Sequence, residues 1–232
     1  MESYILPRYL FEFDCAQRIV YLWRYSMFFN ALKAQLPKGI FKSCIIPRPI
    51  AWISTVDKLG NFNIAPYSYF NALCDNPPML MFSTTDLHSE GGAKDTLRNV
   101  EETGEFVVNI ATYSLASALN LTSADLSKTK SEFEFAKIEY EASTLVKAPR
   151  VKESPISLEC RYYSSVQLPK NSEEEMNRMV IGSVIGIHVN PDYMTEDSKI
   201  DVEKIQPIAR LGYNDYVKIE KVFNMIRPKK LG

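Results

Sequence analysis

The sequence predicts a mainly β fold, a closed or partly closed antiparallel barrel with peripheral helices. Two long runs, residues 157–168 and 178–189, carry strand-like apolar patterning. Shorter β-branched and apolar runs are separated by turn chemistry, above all DKLGN at 57–61 and NPP at 76–78. Helical periodicity is confined to two short stretches.

The elements follow in chain order. Residues 50–56 (IAWISTV) form a strand, DKLGN a hairpin turn, and residues 62–65 the return strand. The two prolines break the chain before a strand over 79–84, and 88–92 is a polar loop bearing glycines. Asp95 reads as the N-cap of a helix running through Glu102 and ended by Gly104. Residues 106–110 are a short buried strand. Thr112 or Ser114 starts a second helix with Leu115, Ala118, Leu119 and Leu121 on one side. Residues 127–148, charged and weakly patterned, read as a surface excursion, and 169–177 is an acidic connection between the two long strands.

At 232 residues the chain is long enough to bury a sizeable core. Acidic and basic residues nearly cancel, 28 against 27, and are interspersed, which argues against a nucleic-acid partner. No apolar run is long enough to span a bilayer. Cys15, Cys44, Cys74 and Cys160 are far apart with no CxxC pair, as expected of reduced thiols in a cytoplasmic protein. All four read as buried small hydrophobes, and only Cys74 lies in a chemically interesting stretch. His88 and His188 supply no clustered metal ligands. The aromatic residues before Met27 lack the pattern of a secretory signal. They are either a non-native addition, with Met27 an alternative start, or a short helix packed on the body.

Residues 47–96 carry the chemistry. Lys94, Asp95 and Thr96 surround a helix N-terminus, where unpaired N–H groups and the positive dipole end suit a phosphate. Taken alone, such a motif is more often an ordinary capped surface helix. Alternation sets Trp52 and Ser54 on one side of a strand, Ile53 and Thr55 on the other. Arg48, stiffened between prolines, suits a bidentate phosphate contact or a surface ion pair. Ser68, Tyr69, Phe70 and Asn71 mix aromatic bulk with groups that need partners, and Ser83 poses the same choice. A heterocycle with carbonyls and ring nitrogens would supply those partners; so would the loop backbone. In VIGSVIGIHV, alternation puts Gly182, Gly186 and His188 on one face with Val180 and Val184. Two glycines there point to close approach of another backbone or of a flat ligand. The chain has no P-loop, no HExxH and no GxGxxG after a strand, so a bound cofactor would carry any chemistry.

PRPIAWIST, NIAPYSYFNAL, NPPMLMFS, KDTLRNVEETGEFVVN, SPISLEC, IGSVIGIHV and ARLGYNDY stand in the order seen in flavin reductase-like FMN-binding proteins, the flavoredoxin-like flavoproteins. The chain resembles that family over residues 32–228, leaving 1–31 as an extension and 229–232 as a basic tail. The resemblance implies a split barrel, six-stranded, antiparallel and of Greek-key topology. It implies a homodimer with FMN near the interface, and NADH or NADPH as donor of hydride to the flavin. By the same resemblance Trp52, Ile53, Ser54 and Thr55 flank the flavin, and Ser68, Tyr69, Phe70 and Asn71 line its ring and ribityl chain. Ser83, Lys94, Asp95 and Thr96 hold the ribityl and phosphate end. Arg48, His188 and Arg210 lie at the edge. Tyr213 stands where many relatives have glycine. An FMN-binding electron carrier without NAD(P)H oxidation is the alternative function.

Overall fold

Alternation over AWISTV and the Asp57 turn produce the first hairpin. In the computed structural model β1 (Ala51–Val56) pairs antiparallel with β2 (Phe62–Tyr67), Ala51 opposite Tyr67 and Val56 opposite Phe62. The Asp57 carboxylate accepts the Leu59 and Asn61 amides, each at 2.8 Å, which fixes the turn. The structure describes residues 21–23, 26–32, 36–128, 130–170, 172 and 175–228. It divides into two units, 1–46 with 212–214 and 47–211 with 215–232.

In the larger unit, β3 (Phe70–Asp75), β4 (Pro78–Thr84), β5 (Glu105–Ile110), β6 (Ile156–Gln167) and β7 (Arg178–Val189) join the hairpin. The hydrogen-bonded order is β2-β1-β5-β6-β7-β4-β3, all antiparallel. The sheet therefore has seven strands, β3 adding one to the six that the resemblance implies. Laid flat, its edges would stand roughly 29 Å apart. Yet β2 and β3 are the two edges, and only Ser68 and Tyr69 lie between them in the chain, a span of about 11 Å at most. The sheet must curl into a barrel. Its seam is at Ser68–Tyr69, where the Ser83 N–H donates to the Tyr69 carbonyl at 2.8 Å and the Tyr67 and Phe82 rings meet at 5.2 Å.

Inside the barrel Ile53, Phe82, Phe106, Val108, Cys160 and Val180 pack together. Helix α1 (Asp95–Thr103) adds Leu97 and Val100 to that core. Lys94 occupies the cap position and makes no side-chain cap; Asp95, expected as the cap, is the first helical residue. Gly104 ends the helix at φ 76°, its N–H on the Val100 carbonyl at 2.9 Å. The outer face of β1 packs Trp52 against Leu115, Leu119, Phe133 and Val151. Helix α2 (Ala116–Leu121) buries Leu119, but Leu121, expected on its apolar side, is exposed.

Residues 127–148 are not a simple surface excursion. They hold a helical turn, Glu132–Phe135, and they bury Phe133, Val146 and Ala148 against the outer sheet face. A bulge at Ile185 also breaks the expected single face of VIGSVIGIHV. Cys160 pairs with Val184 but Glu159 with Gly186, so one residue, Ile185, is skipped on β7. Val180, Gly182 and Val184 face the core, where a Cβ on Gly182 would meet the Phe106 ring at 2.5 Å. Gly186 and His188 turn to the other face, beside Glu159. The glycines accommodate neighbouring side chains.

In the smaller unit, Tyr21–Trp23 pairs with Ser26–Phe28 as a short antiparallel ladder, where a helix was one of two expectations. Residues 1–20, with Cys15, and 229–232 lie outside the described residues. Tyr213 has φ 53°, in the left-handed region that glycine enters at little cost, which is the physical reason a glycine suits that position. Cys44 and Cys74 are exposed, against expectation, and of the three described cysteines Cys160 alone is buried; burial pushes its thiol well above the ordinary range. Among the described residues there is no metal-ligand cluster, and no helix is long and apolar enough to cross a membrane.

Candidate functional site

The seam gathers a large share of the expected site. Ser68, Tyr69 and Phe70 form the corner, and Ser83 lies beside them through its bond to Tyr69. Asn71 follows on β3, its side-chain oxygen taken by the Ala72 amide at 2.9 Å. Tyr67, just before the corner, sits against Thr96 at the start of α1; burial pushes its phenol up to about 12. The helix start therefore meets the seam, and Lys94 stands at that start with no carboxylate partner among the described residues.

A buried polar chain fixes this corner. The Thr96 hydroxyl donates to Asn63 Oδ1 at 2.9 Å, and Asn63 Nδ2 donates to Glu132 at 3.0 Å. Asn99 Nδ2 donates to the Thr55 hydroxyl at 3.0 Å. Asp95 takes the Arg98 guanidinium at 2.6 Å, and His88 Nε2 lies 3.6 Å from its other oxygen. Burial raises the Glu132 carboxyl above the usual range, with the Asp95 charge adding to it. Thr96 is thus committed within the protein, while Asp95 is neutralised by Arg98 although its Oδ1 makes no hydrogen bond of good geometry among the described residues. Lys94 and the first-turn amides are what the helix start offers to an anion.

The side chains of Trp52, Ile53, Ser54 and Thr55 have no exposed surface. The indole of Trp52 donates to the Thr122 hydroxyl at 2.9 Å, and the Ser54 hydroxyl to the Pro149 carbonyl at 2.5 Å. Ser54 also accepts from Asn109 at 3.0 Å, and Asn109 Oδ1 takes the Val151 amide and the Ser157 hydroxyl, both at 2.9 Å. These side chains hold sheet, helix and covering segment together.

Arg48 opens a small three-stranded ladder in which it faces Arg210 directly. Its strand runs next to β3, and its buried guanidinium donates to the Leu211 carbonyl at 2.9 Å. Arg210 lies over the Tyr216 ring at 4.3 Å. Like charges opposite each other are unfavourable unless an anion or carbonyl is near. His188 stands apart on the outer face, bonded to the carboxylate of buried Glu159. Burial opposes ionisation of Glu159, but the Thr144 and Leu145 amides (2.7 and 2.5 Å) and His188 hold its carboxyl below the usual range.

Sequence reasoning missed Thr84. It is 1 % exposed at the end of β4, and its hydroxyl has no hydrogen-bond partner among the described residues. Ser68 and Ser83 likewise keep their hydroxyls unbonded there. A buried hydroxyl without a partner is costly, so the arrangement fits a ligand rich in acceptors and donors that ends in an anion.

A barrel with such a seam belongs to the split-barrel class. The chain itself is a member of the flavin reductase-like family: the model described as "Flavin reductase like domain" matches residues 43–205. Nitrilotriacetate monooxygenase component B from Bacillus cereus is similar at 36 % identity, covering 82 % of this chain and 95 % of that one, with a TM-score of 0.74. The 2-nitrobenzoate 2-nitroreductase of Pseudomonas fluorescens is 28 % identical, covering 85 % and 95 %, with a TM-score of 0.72. A protein with a split barrel domain from Shewanella frigidimarina is 25 % identical, covering 81 % and 90 %, at 0.71. A flavin, as cofactor or substrate, and oxidoreductase chemistry come with the family.

Proposed function

We propose that the protein is an FMN-dependent oxidoreductase of flavin reductase type. It takes hydride from NADH or NADPH and passes electrons to an acceptor, and it works as a homodimer with FMN near the interface. The observation that carries this is the pair of hydroxyls at the seam without a partner among the described residues, Ser68 and Ser83, next to a helix start bearing Lys94. Bound there, a flavin supplies the two-electron chemistry for which no side chain is equipped. Lys94 and the first amides of α1 hold the phosphate, with the Asp95 charge offset by Arg98. The Ser68 and Ser83 hydroxyls pair with the ribityl chain and ring edge, and Tyr69 and Phe70 shield the ring from water. Arg48 and Arg210 lend positive charge at the rim, favouring the anionic reduced state. Trp52 to Thr55 act through backbone position, since their side chains are spent on packing.

The acceptor class is open to two readings from the similar proteins, one named as a monooxygenase component and one for reducing a nitro group. Anaerobic stopped-flow mixing of the FMN-loaded protein with NADH and with NADPH tests the proposal. Loss of the oxidised-flavin absorbance with one of them is the expected result. Retained FMN that neither nicotinamide bleaches would leave the electron carrier as the correct account.

A further inference from the structure

The segment that covers the outer sheet face reaches the start of α1 through one carboxyl group. Glu132 opens the helical turn Glu132–Phe135 and is only 8 % exposed. The turn is pinned on β2 from both sides. The Ser131 hydroxyl donates to the Phe62 carbonyl at 3.2 Å, and the Phe133 ring meets the Phe62 ring edge-on at 6.5 Å. Glu132 is thereby held against Asn63, and Asn63 against Thr96 in the first turn of α1. From β2 the Asn63 amide and the Ile64 N–H face the carboxyl; from α1 the Asp95 carboxylate faces it, with Arg98 and His88 beside that group. Glu132 has no ion-pair partner among the described residues. Burial and the Asp95 charge both favour its protonated form.

The direction of each hydrogen bond in this chain of groups depends on that carboxyl. An ionised carboxylate only accepts, so Asn63 turns Nδ2 to it and Oδ1 to Thr96. Thr96 then gives its one hydroxyl proton to Asn63, while its oxygen accepts from the Tyr67 phenol. A protonated Glu132 donates instead. Asn63 can then stand the other way round, Oδ1 on Glu132 and Nδ2 on Thr96, losing only the long 3.4 Å contact from Thr55. Thr96 now accepts from both neighbours, and its proton is released to a group outside the fold.

We propose that Glu132 is a positioning residue for the phosphate end of the flavin site: docking of the phosphate draws a proton from solvent onto Glu132, which turns Asn63 and aims the Thr96 hydroxyl at the phosphate. The proposal rests on the reading of the α1 start as the phosphate site. By linkage the proton and FMN each tighten binding of the other. Riboflavin, which has no phosphate, binds without the proton. Preference for the phosphate dianion would release protons, so uptake carries the opposite sign.

Isothermal titration calorimetry of the flavin-free protein at neutral pH, in two buffers of different ionisation enthalpy, counts the protons bound with each flavin. Uptake of roughly half a proton or more is expected with FMN, and none with riboflavin. Glu132→Gln, which presents both an N–H and a carbonyl to Asn63, should bind FMN without uptake. Thr96→Val should bind FMN roughly fivefold or more weakly, with riboflavin affinity unchanged. The count on the parent stands whether or not the variants fold. FMN bound more tightly than riboflavin with no proton taken up overturns the proposal and leaves the phosphate site in place. Uptake that persists in Glu132→Gln, or that riboflavin matches, overturns it too. Equal affinity of the parent for both flavins rejects the phosphate site, and the proposal with it.

Discussion

Gly182→Ala separates packing from ligand approach on the long strand β7. A Cβ at this position would lie 2.5 Å from Cζ and 2.8 Å from Cε1 of Phe106. That ring is fully buried and packs edge-on against Phe82 at 5.5 Å, so it cannot swing aside. Overpacking of a core costs typically about 1–3 kcal/mol, and replacing glycine in a strand returns about 0.5–1 kcal/mol. Because the ring cannot yield, the upper part of that cost applies, about 2–3 kcal/mol, and the net loss is about 1–2 kcal/mol. For a domain of this size that lowers Tm by roughly 2–8 °C. Calorimetry on the flavin-free protein measures it, with an FMN titration alongside. The flavin affinity should stay within twofold, and Phe106→Leu should relieve the strain, leaving Gly182→Ala nearly neutral in that background. A parent-like Tm together with lost flavin affinity would show that β7 leaves room for a ligand at Gly182 and that the ring contact is irrelevant.

Three further perturbations probe the site and its scaffold. Lys94→Ala should weaken FMN binding by about 1.5–3 kcal/mol, roughly 10- to 150-fold, while leaving riboflavin affinity unchanged because riboflavin has no phosphate. Fluorescence titration with both flavins decides it, and equal losses would remove Lys94 from the phosphate site. Trp52→Phe should cost about 1–3 kcal/mol in urea denaturation through the void left by the indole and the loss of its bond to Thr122, whose hydroxyl keeps its own bond to the Leu119 carbonyl, with flavin binding intact; a flavin defect in a stable protein would place the indole on the ligand instead. Glu159 is held below its ordinary 4.5, so the native state gains stability from it above that value and loses it as pH falls through the lower folded one. Glu159→Gln should therefore be less stable at neutral pH and show a flatter acid limb. An unchanged limb would mean that the Thr144 and Leu145 amides do not depend on the charge.

The strands and hairpins were legible because they rest on local signals. IAWISTV, the Asp57 turn and Gly104 each act within a few residues, and all three stand where the pattern puts them. The faces of β7 were not, because the bulge at Ile185 arises from pairing with β6 and leaves no mark on the alternation. Asn63 and Asn109 were invisible for a related reason. A mid-strand asparagine looks like a defect until its partners, tens of residues away, are in place. The excursion over 127–148 misled because its few apolar residues, Phe133, Val146 and Ala148, are too sparse to show a period, yet each fills a separate niche on the outer sheet face.

What divides site from scaffold is whether a polar group has already found a partner. Thr55 and Thr84 are chemically identical and almost equally buried. Thr55 accepts from Asn99 and lies 3.4 Å from Asn63, so its hydroxyl is spent on joining α1 to the sheet. Thr84 has no hydrogen-bond partner among the described residues. Leaving a buried hydroxyl unmet costs about 1–3 kcal/mol, so its place at the seam is favourable only when something outside the fold completes it. The same test sorts Ser54 from Ser83. It also explains why the seam is where such groups collect. Closing seven strands through a two-residue corner leaves positions that no neighbouring strand can satisfy, and in this chain those positions carry hydroxyls beside a cationic helix start.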